Sequence, residues 1–159
     1  MLDIFNIMSD MNNIAVPPSY REKIAWLSLA AMGVTLVPYL IAMAVNPPVA
    51  PLPDLGTMGL FAAAALAHAV VLGGGHLWLR GWSPEDAKAP PDERDRVISL
   101  RALGASYYVL IVGMILVGCV MPFNAGGWKI VNAAVAMIVL AQLVRYGVAA
   151  WCYRIGWHA

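Results

Sequence analysis

Residues 90–120, PPDERDRVISLRALGASYYVLIVGMILVGCV, decide the fold of this chain. A short tract of acidic and basic side chains, 92–96, stands directly before an apolar run that continues to Val120. Asp92 is suited to cap a helix, because its carboxylate can accept hydrogen bonds from the free N–H groups of a first turn. Asp95 follows three residues later, where negative charge suits the helix dipole. We therefore predict a helix that begins in water and ends inside a membrane, since an apolar run of about 20 residues can cross a bilayer.

The composition shows the same separation of charge from hydrophobicity along the whole chain. Hydrophobic residues make up 61% of the sequence and charged residues 12%, whereas a soluble domain usually carries about 25% charged residues. The charges cluster in short tracts between long apolar runs, which is typical of a multi-pass membrane protein. We predict an all-α membrane protein in which residues 21–159 form a four-helix transmembrane bundle, with spans at about 24–45, 57–78, 98–121 and 128–151.

The first 20 residues precede this bundle and do not resemble a signal peptide, because they lack a basic start and a long apolar run. Leu2, Phe5, Met8 and Met11 recur at helical spacing. This spacing is compatible with a short amphipathic helix on the membrane surface. A disordered terminus is the alternative interpretation.

Basic residues predict the orientation of the bundle. Nine of the ten lysines and arginines fall on one side of the predicted spans, and Lys129 alone falls on the other. By the positive-inside rule, the N-terminus, the central loop and the C-terminus are therefore cytoplasmic. Each half begins with a charged tract, crosses the membrane, turns and returns. This pattern suggests two helical hairpins related as a parallel repeat.

Arg145 is the most informative polar residue of the predicted spans. It lies about 25 Å along the fourth helix from Trp128, so its charge needs a partner or must reach the membrane surface. The candidate partners are the carboxylates at the start of the third helix, which are Asp92, Glu93 and Asp95. Two amides, Asn132 and Gln142, share the fourth span with Arg145. These residues predict either a polar binding site at the cytoplasmic end or an ion pair that fixes helix register.

The second span contains the only two histidines of the predicted spans, His68 and His76. Their side chains point about 80° apart around a helix, and haem usually takes its axial ligands from facing helices. The fourth span contains no histidine, so haem binding would require a homodimer. We expect His68 to form a hydrogen bond within the bundle and His76 to lie at the membrane interface. A titrating His68 in a transporter is a further alternative.

Pro38 lies inside the first predicted span. Because proline lacks an N–H group, it predicts a kink and leaves one upstream carbonyl without its helical donor. Thr35 is near enough in sequence to help satisfy that carbonyl.

Several tracts resemble a family of small four-helix bacterial membrane proteins of unknown function. The resemblance begins at the Asp-Glu-Arg-Asp-Arg tract of residues 92–96 and continues through 127–133, which contain an aromatic-X-Ile-X-Asn pattern. It closes with 144–146 and 153–156, and the opening of the first span at 21–26 is also similar. The resemblance implies a location in the bacterial inner membrane and no established activity.

The function predicted from these residues is a non-enzymatic membrane module that binds a partner protein or lipid through its charged cytoplasmic collar. No nucleophile–base pair or metal-binding pattern stands out in the sequence, so we expect neither enzymatic activity nor a cofactor. No basic patch argues for nucleic acid. An alanine- and glycine-rich second span favours homo-oligomerisation. The alternatives are an oligomeric transporter or channel for small solutes, with a path lined by Asn132, Gln142, Arg145 and His68, and a haem-binding protein that uses His68 or His76.

Overall fold

Four long helices and one short helix make up the protein, as a computed structural model describes it for residues 18–49 and 51–155. The helices are α1 (Tyr20–Val45), α2 (Leu55–Trp82), α3 (Pro84–Lys88), α4 (Glu93–Ile115) and α5 (Trp128–Arg154). A π-helical segment, Leu116–Val120, and a 3₁₀ turn, Met121–Phe123, continue α4. No strand occurs within these two ranges. The N-terminal segment for which a surface helix is the prediction lies mostly outside the described residues.

The prediction of four helices that could cross a membrane is confirmed. Each long helix, counting α4 to Phe123, is long and apolar enough for this role. The observed helices are longer than the predicted spans at one or both ends, because residues that flank the predicted spans are also helical. At the start of α1, for example, the Ser19 hydroxyl accepts a hydrogen bond of 3.2 Å from the N–H of Glu22. This cap lets the helix begin four residues before the apolar run at Ile24.

The start of α4 confirms the capping predicted from the acidic tract. The Asp92 carboxylate accepts a hydrogen bond of 2.6 Å from the N–H of Asp95. The Asp95 carboxylate in turn accepts one of 3.3 Å from the N–H of Asp92. This reciprocal pair is a capping box, with Asp95 in the position more often taken by Glu or Gln. The pair places the charged tract on the first turn of the helix rather than in a loop.

The helices pack in the spatial order α2–α1–α5–α4. Helices α1 and α2 form one hairpin, α4 and α5 form the other, and contact between α1 and α5 joins the two. Helices α2 and α4 occupy the outer positions and form no substantial packed interface with each other. We call the end that carries the start of α1, the end of α2, the start of α4 and the end of α5 the charged end.

A glycine permits a close approach of helices within each hairpin. A Cβ on Gly75 of α2 would lie 2.6 Å from Cδ1 of Leu27 in α1. A Cβ on Gly113 of α4 would lie 2.5 Å from the sulfur of Met137 in α5. Between apolar helices in lipid, such close packing takes over the role that hydrophobic burial has in water.

Thr35 does not have the role predicted beside Pro38. Helix α1 continues through Pro38 to Val45. The Thr35 hydroxyl donates to the carbonyl of Ala31 at 2.7 Å, not to the Val34 carbonyl that Pro38 leaves without its helical donor. The Thr35 oxygen also forms a hydrogen-bond contact with α2, where it lies 3.0 Å from Nδ1 of His68.

Candidate functional site

Asp95 connects three helices at the charged end. Its carboxylate forms an ion pair with Nε of Arg21 in α1 at 2.8 Å. It also accepts a hydrogen bond of 2.8 Å from the hydroxyl of Tyr153 in α5. Because Asp95 itself belongs to the cap of α4, one carboxylate fixes the ends of α1, α4 and α5 relative to one another.

A second ionic cluster joins the same ends of α1 and α5. Glu22 is buried, with only 7% of its surface exposed, and it pairs with Nε of Arg154 at 3.2 Å. The indole N–H of Trp26 donates to the same carboxylate at 3.4 Å, and the Arg154 guanidinium lies 5.9 Å from the centre of the Trp26 ring. A buried carboxylate needs such partners, because an uncompensated charge away from water is costly.

The connector between α2 and α4 is fastened to these ends. The Arg21 guanidinium donates to the carbonyl of Ala89 at 3.3 Å, and Nζ of Lys23 lies 3.5 Å from the Ser83 hydroxyl. These contacts hold the segment that includes α3 against the start of α1. The connector therefore covers part of the charged end.

A cleft of about 740 Å³ opens among the four long helices at the charged end. Its charged and imidazole side chains are those of Arg21, Asp95, His76, Arg80 and Arg145. Arg21 is neutralised by Asp95, the only carboxylate that the described residues contribute to the lining. Within the described ranges, neither of the other two arginines forms an ion pair. The cleft therefore presents an excess of positive charge to whatever occupies it.

Small and apolar side chains form most of the remaining walls, together with Ser99 and three tyrosines. They are contributed by α1, α2, α4 and α5, and include Ile24, Gly73, Leu77, Ala102 and Ala149. A Cβ on Gly73 would meet no atom within 4 Å. Since α2 and α4 lack a substantial interface, the cleft has walls of helix on three sides and a gap on the fourth.

A smaller cavity of about 420 Å³ lies beside the cleft, between the starts of α1 and α4 and the connector. Tyr20, Arg21, Asp95 and Tyr153 line both cavities. The smaller cavity has a different charge balance, because Asp86 and Asp92 also line it. The cluster of Arg21, Asp95 and Tyr153 thus forms a partition between a mixed-charge cavity at the connector and the positively charged cleft.

The acidic residues predicted as partners of Arg145 have other roles. Asp95 lines the same cleft as Arg145, but its ion pair is with Arg21. Asp92 caps α4, and Glu93 is exposed on the first turn. Arg145 forms none of the predicted ion pairs among the described residues, because Asp95 is level with Tyr153, which lies eight residues and about 12 Å further along α5 than Arg145. The Arg145 guanidinium instead lies 5.7 Å from the centre of the neighbouring Tyr146 ring.

The other predicted site residues are spread along the bundle. Asn132 accepts a hydrogen bond of 2.9 Å from the Tyr39 hydroxyl and lines a cavity of about 660 Å³ with Lys129, far from the charged end. The buried Oε1 of Gln142 has no hydrogen-bond partner in the part of the chain that the structure describes. Asn132 and Arg145 therefore line different cavities, and the fold does not bring these amides to the cleft.

His68 forms the predicted hydrogen bond within the bundle, and its partner is Thr35. The single hydroxyl hydrogen of Thr35 is engaged by the carbonyl of Ala31. In the contact with Thr35, Nδ1 of His68 donates in one tautomer of the imidazole and accepts in the other. His76, the other candidate for haem, lines the cleft at the charged end.

Three residues of the site did not stand out in the sequence as site residues. Arg80 and Arg21 served there only as markers of orientation, and Tyr153 only as part of a resemblance. One signal could have found Arg80: it lies one helical turn after His76, on the same side of an otherwise apolar helix.

No protein-family model, curated protein or solved structure matches this chain. The resemblance to a four-helix family of unknown function stays a prediction, as do homo-oligomerisation and the haem alternative. Among the described residues, no group of three or more potential metal ligands comes together. The geometry of the charged end is therefore the basis of a functional proposal.

Proposed function

We propose that this protein is a non-enzymatic module of the bacterial inner membrane that binds a phosphate-bearing anion in the cleft at its charged end. One observation carries the proposal: Arg80 and Arg145 line one cleft without a carboxylate partner among the described residues. Guanidinium groups at the margin of an apolar layer are costly unless they are paired or solvated. The planar guanidinium of arginine can donate two hydrogen bonds to the oxygens of one phosphate, which a monatomic anion cannot accept in the same geometry.

In this proposal the acidic tract has a scaffolding role. Asp92 caps α4 and Asp95 is occupied by Arg21 and Tyr153. The charged collar therefore has most of its charges paired internally, and Arg80 and Arg145, which form no ion pair within the described ranges, remain for a ligand. This proposal refines the sequence prediction, which assigned binding to the collar as a whole.

The charged end is placed in the cytoplasm in this proposal, because nine of the ten basic residues belong to that side of the apolar runs. Cysteine labelling tests the orientation in a background in which Cys119 and Cys152 are replaced by Ser and Ala. We expect Arg94→Cys to react only from the cytoplasmic face of the membrane and Lys129→Cys only from the opposite face. Reaction of both variants from one face would contradict the topology.

Anion binding is tested with purified protein in dodecyl maltoside and two probes, glycerol 3-phosphate and phosphatidylglycerol. We expect at least one probe to bind and the double variant Arg80→Gln/Arg145→Gln to lose at least tenfold in affinity. A tenfold loss corresponds to about 1.4 kcal/mol, which is at or below the contribution of one hydrogen bond to a charged group. Arg96→Gln is the matched control, because Arg96 is an exposed cation on α4 that does not line the cleft. Equal binding by the double variant and the wild type would refute the proposal.

A further inference from the structure

We infer that the anion in the cleft is the headgroup of an anionic phospholipid that enters from the cytoplasmic leaflet between α2 and α4. This inference rests on the proposed function, because it names the ligand of the same site. A soluble phosphate compound would satisfy the same two arginines. Three features of the cleft favour a lipid over a soluble compound.

The first feature is the direction in which the cleft opens. Helices α1 and α5 pack against each other and form its back wall, while α2 and α4 form its sides. The outer helices have no substantial interface with each other. The gap between them therefore faces the surroundings of the bundle, which for membrane-spanning helices is lipid.

The second feature is the cover over the cleft at the charged end. Arg21, Asp95 and Tyr153 are connected by contacts of 2.8 Å and separate the cleft from the smaller cavity under the connector. The connector itself is held by the hydrogen bond from Arg21 to Ala89. A soluble anion that entered through the smaller cavity would have to pass this cluster, whereas a lipid diffusing in the leaflet would not.

The third feature is the apolar depth of the cleft. Gly73 lies seven residues before Arg80 on α2, about 10 Å deeper along the helix, and it lines the same cleft. Trp78 and Trp82 lie on either side of Arg80 in sequence, are exposed, and have ring centres 5.3 Å apart. Exposed tryptophans of this kind mark the level of lipid headgroups. The arginines are then at headgroup level and the apolar wall is at the level of acyl chains.

Substitutions that fill the apolar part of the cleft distinguish binding of a lipid from binding of a soluble phosphate compound. A Cβ on Gly73 meets no atom within 4 Å, so Gly73→Leu fills the apolar part of the cleft without a backbone clash. Gly74→Leu is the matched control, because its Cβ also meets no atom and Gly74 does not line the cleft. Ser99→Leu fills the cleft from α4, where Ser99 is exposed and lines it. This second variant keeps the test decisive if Gly73→Leu fails to fold.

The experiment counts bound lipids by native mass spectrometry of the full chain from micelles that contain either phosphatidylglycerol or phosphatidylcholine. It also measures affinity for glycerol 3-phosphate by calorimetry. We expect phosphatidylglycerol adducts in preference to phosphatidylcholine adducts. We expect these adducts to fall at least fivefold in Gly73→Leu, Ser99→Leu and Arg80→Gln/Arg145→Gln, and to be unchanged in Gly74→Leu.

The outcomes distinguish this inference from the proposed function. One outcome would overturn the lipid inference and leave the proposed function standing. In that outcome, glycerol 3-phosphate binding requires both arginines and is unaffected by Gly73→Leu and Ser99→Leu, and phosphatidylglycerol adducts are not preferred. Phosphatidylglycerol adducts that persist in both filled variants would also overturn the inference. Binding of neither probe would refute both proposals together.

Discussion

Replacing Asp95 by Ala should weaken the fold more than any other single change at the exposed first turn of α4. The Tyr153 hydroxyl would lose its charged acceptor, which is worth about 1.5–3 kcal/mol. The ion pair with Arg21 contributes at most about 1 kcal/mol, because 38% of the Arg21 side chain is exposed to solvent. The expected decrease in the free energy of unfolding is therefore about 1.5–4 kcal/mol, and the hydrogen bond to Tyr153 dominates it.

The assay is reversible unfolding in mixed micelles of dodecyl maltoside and sodium dodecyl sulfate, followed by circular dichroism. Glu93→Ala is the matched control, since Glu93 is an exposed carboxylate on the same helical turn. We expect it to change the free energy of unfolding by less than about 0.5 kcal/mol, as surface substitutions usually do.

A double-mutant cycle identifies the contact that is responsible. Tyr153→Phe removes the hydroxyl that donates to Asp95 and leaves the ion pair with Arg21 intact. Because the two residues are in direct contact, Asp95→Ala and Tyr153→Phe should be non-additive by at least about 1 kcal/mol. Equal effects of Asp95→Ala and Glu93→Ala, or full additivity with Tyr153→Phe, would refute the assignment of Asp95 as the residue that connects three helices.

Two further predictions concern packing and pH. Gly113→Ala should destabilise the protein by about 1–3 kcal/mol, because its Cβ would meet the side chain of Met137. Gly104→Ala in the same helix should cause no loss, since its Cβ meets no atom within 4 Å; equal unfolding free energies of the two variants would contradict the close approach. At the start of α2, hydrogen bonds from the Thr57 hydroxyl and N–H lower the pKa of Asp54 below its ordinary value of 3.8. A lowered pKa in the folded state stabilises the fold above the ordinary pKa, and this stabilisation is lost as the pH falls through the folded-state value. Between pH 6 and pH 2, the free energy of unfolding should therefore decrease, and the decrease should be smaller in Asp54→Asn than in the wild type. Identical pH profiles of the two proteins would show that this cap does not cause the decrease.

Local features of the fold could be predicted from the sequence because their causes lie within one helical turn. The capping box of α4 is an example, because its two residues, Asp92 and Asp95, are only three positions apart in the sequence. The four apolar runs are equally local. The hydrogen bond of His68 was predicted in kind, but its partner Thr35 belongs to another helix and was assigned to the kink at Pro38 instead.

The partners in the site could not be predicted, because they depend on which helices are neighbours. Arg145 and Arg21 were both available to Asp95 in sequence. In the fold, Arg21 and Tyr153 lie at the level of Asp95, whereas Arg145 lies about 12 Å deeper along α5. The spacing of apolar residues cannot reveal which helices are neighbours, because a helix with apolar residues on several sides gives no sign of which side its neighbour packs against. That Arg80 and Arg145 have no carboxylate partner among the described residues, which is the basis of the functional proposal, also depends on how the helices pack.

The order α2–α1–α5–α4 also has a consequence for how the protein is made. Each hairpin joins helices that are consecutive in the chain, so each can assemble soon after it leaves the ribosome. The contact between α1 and α5 can form only when the last helix has been inserted. Until then, the Tyr39 hydroxyl, which donates to Asn132 in the finished protein, must find a temporary acceptor.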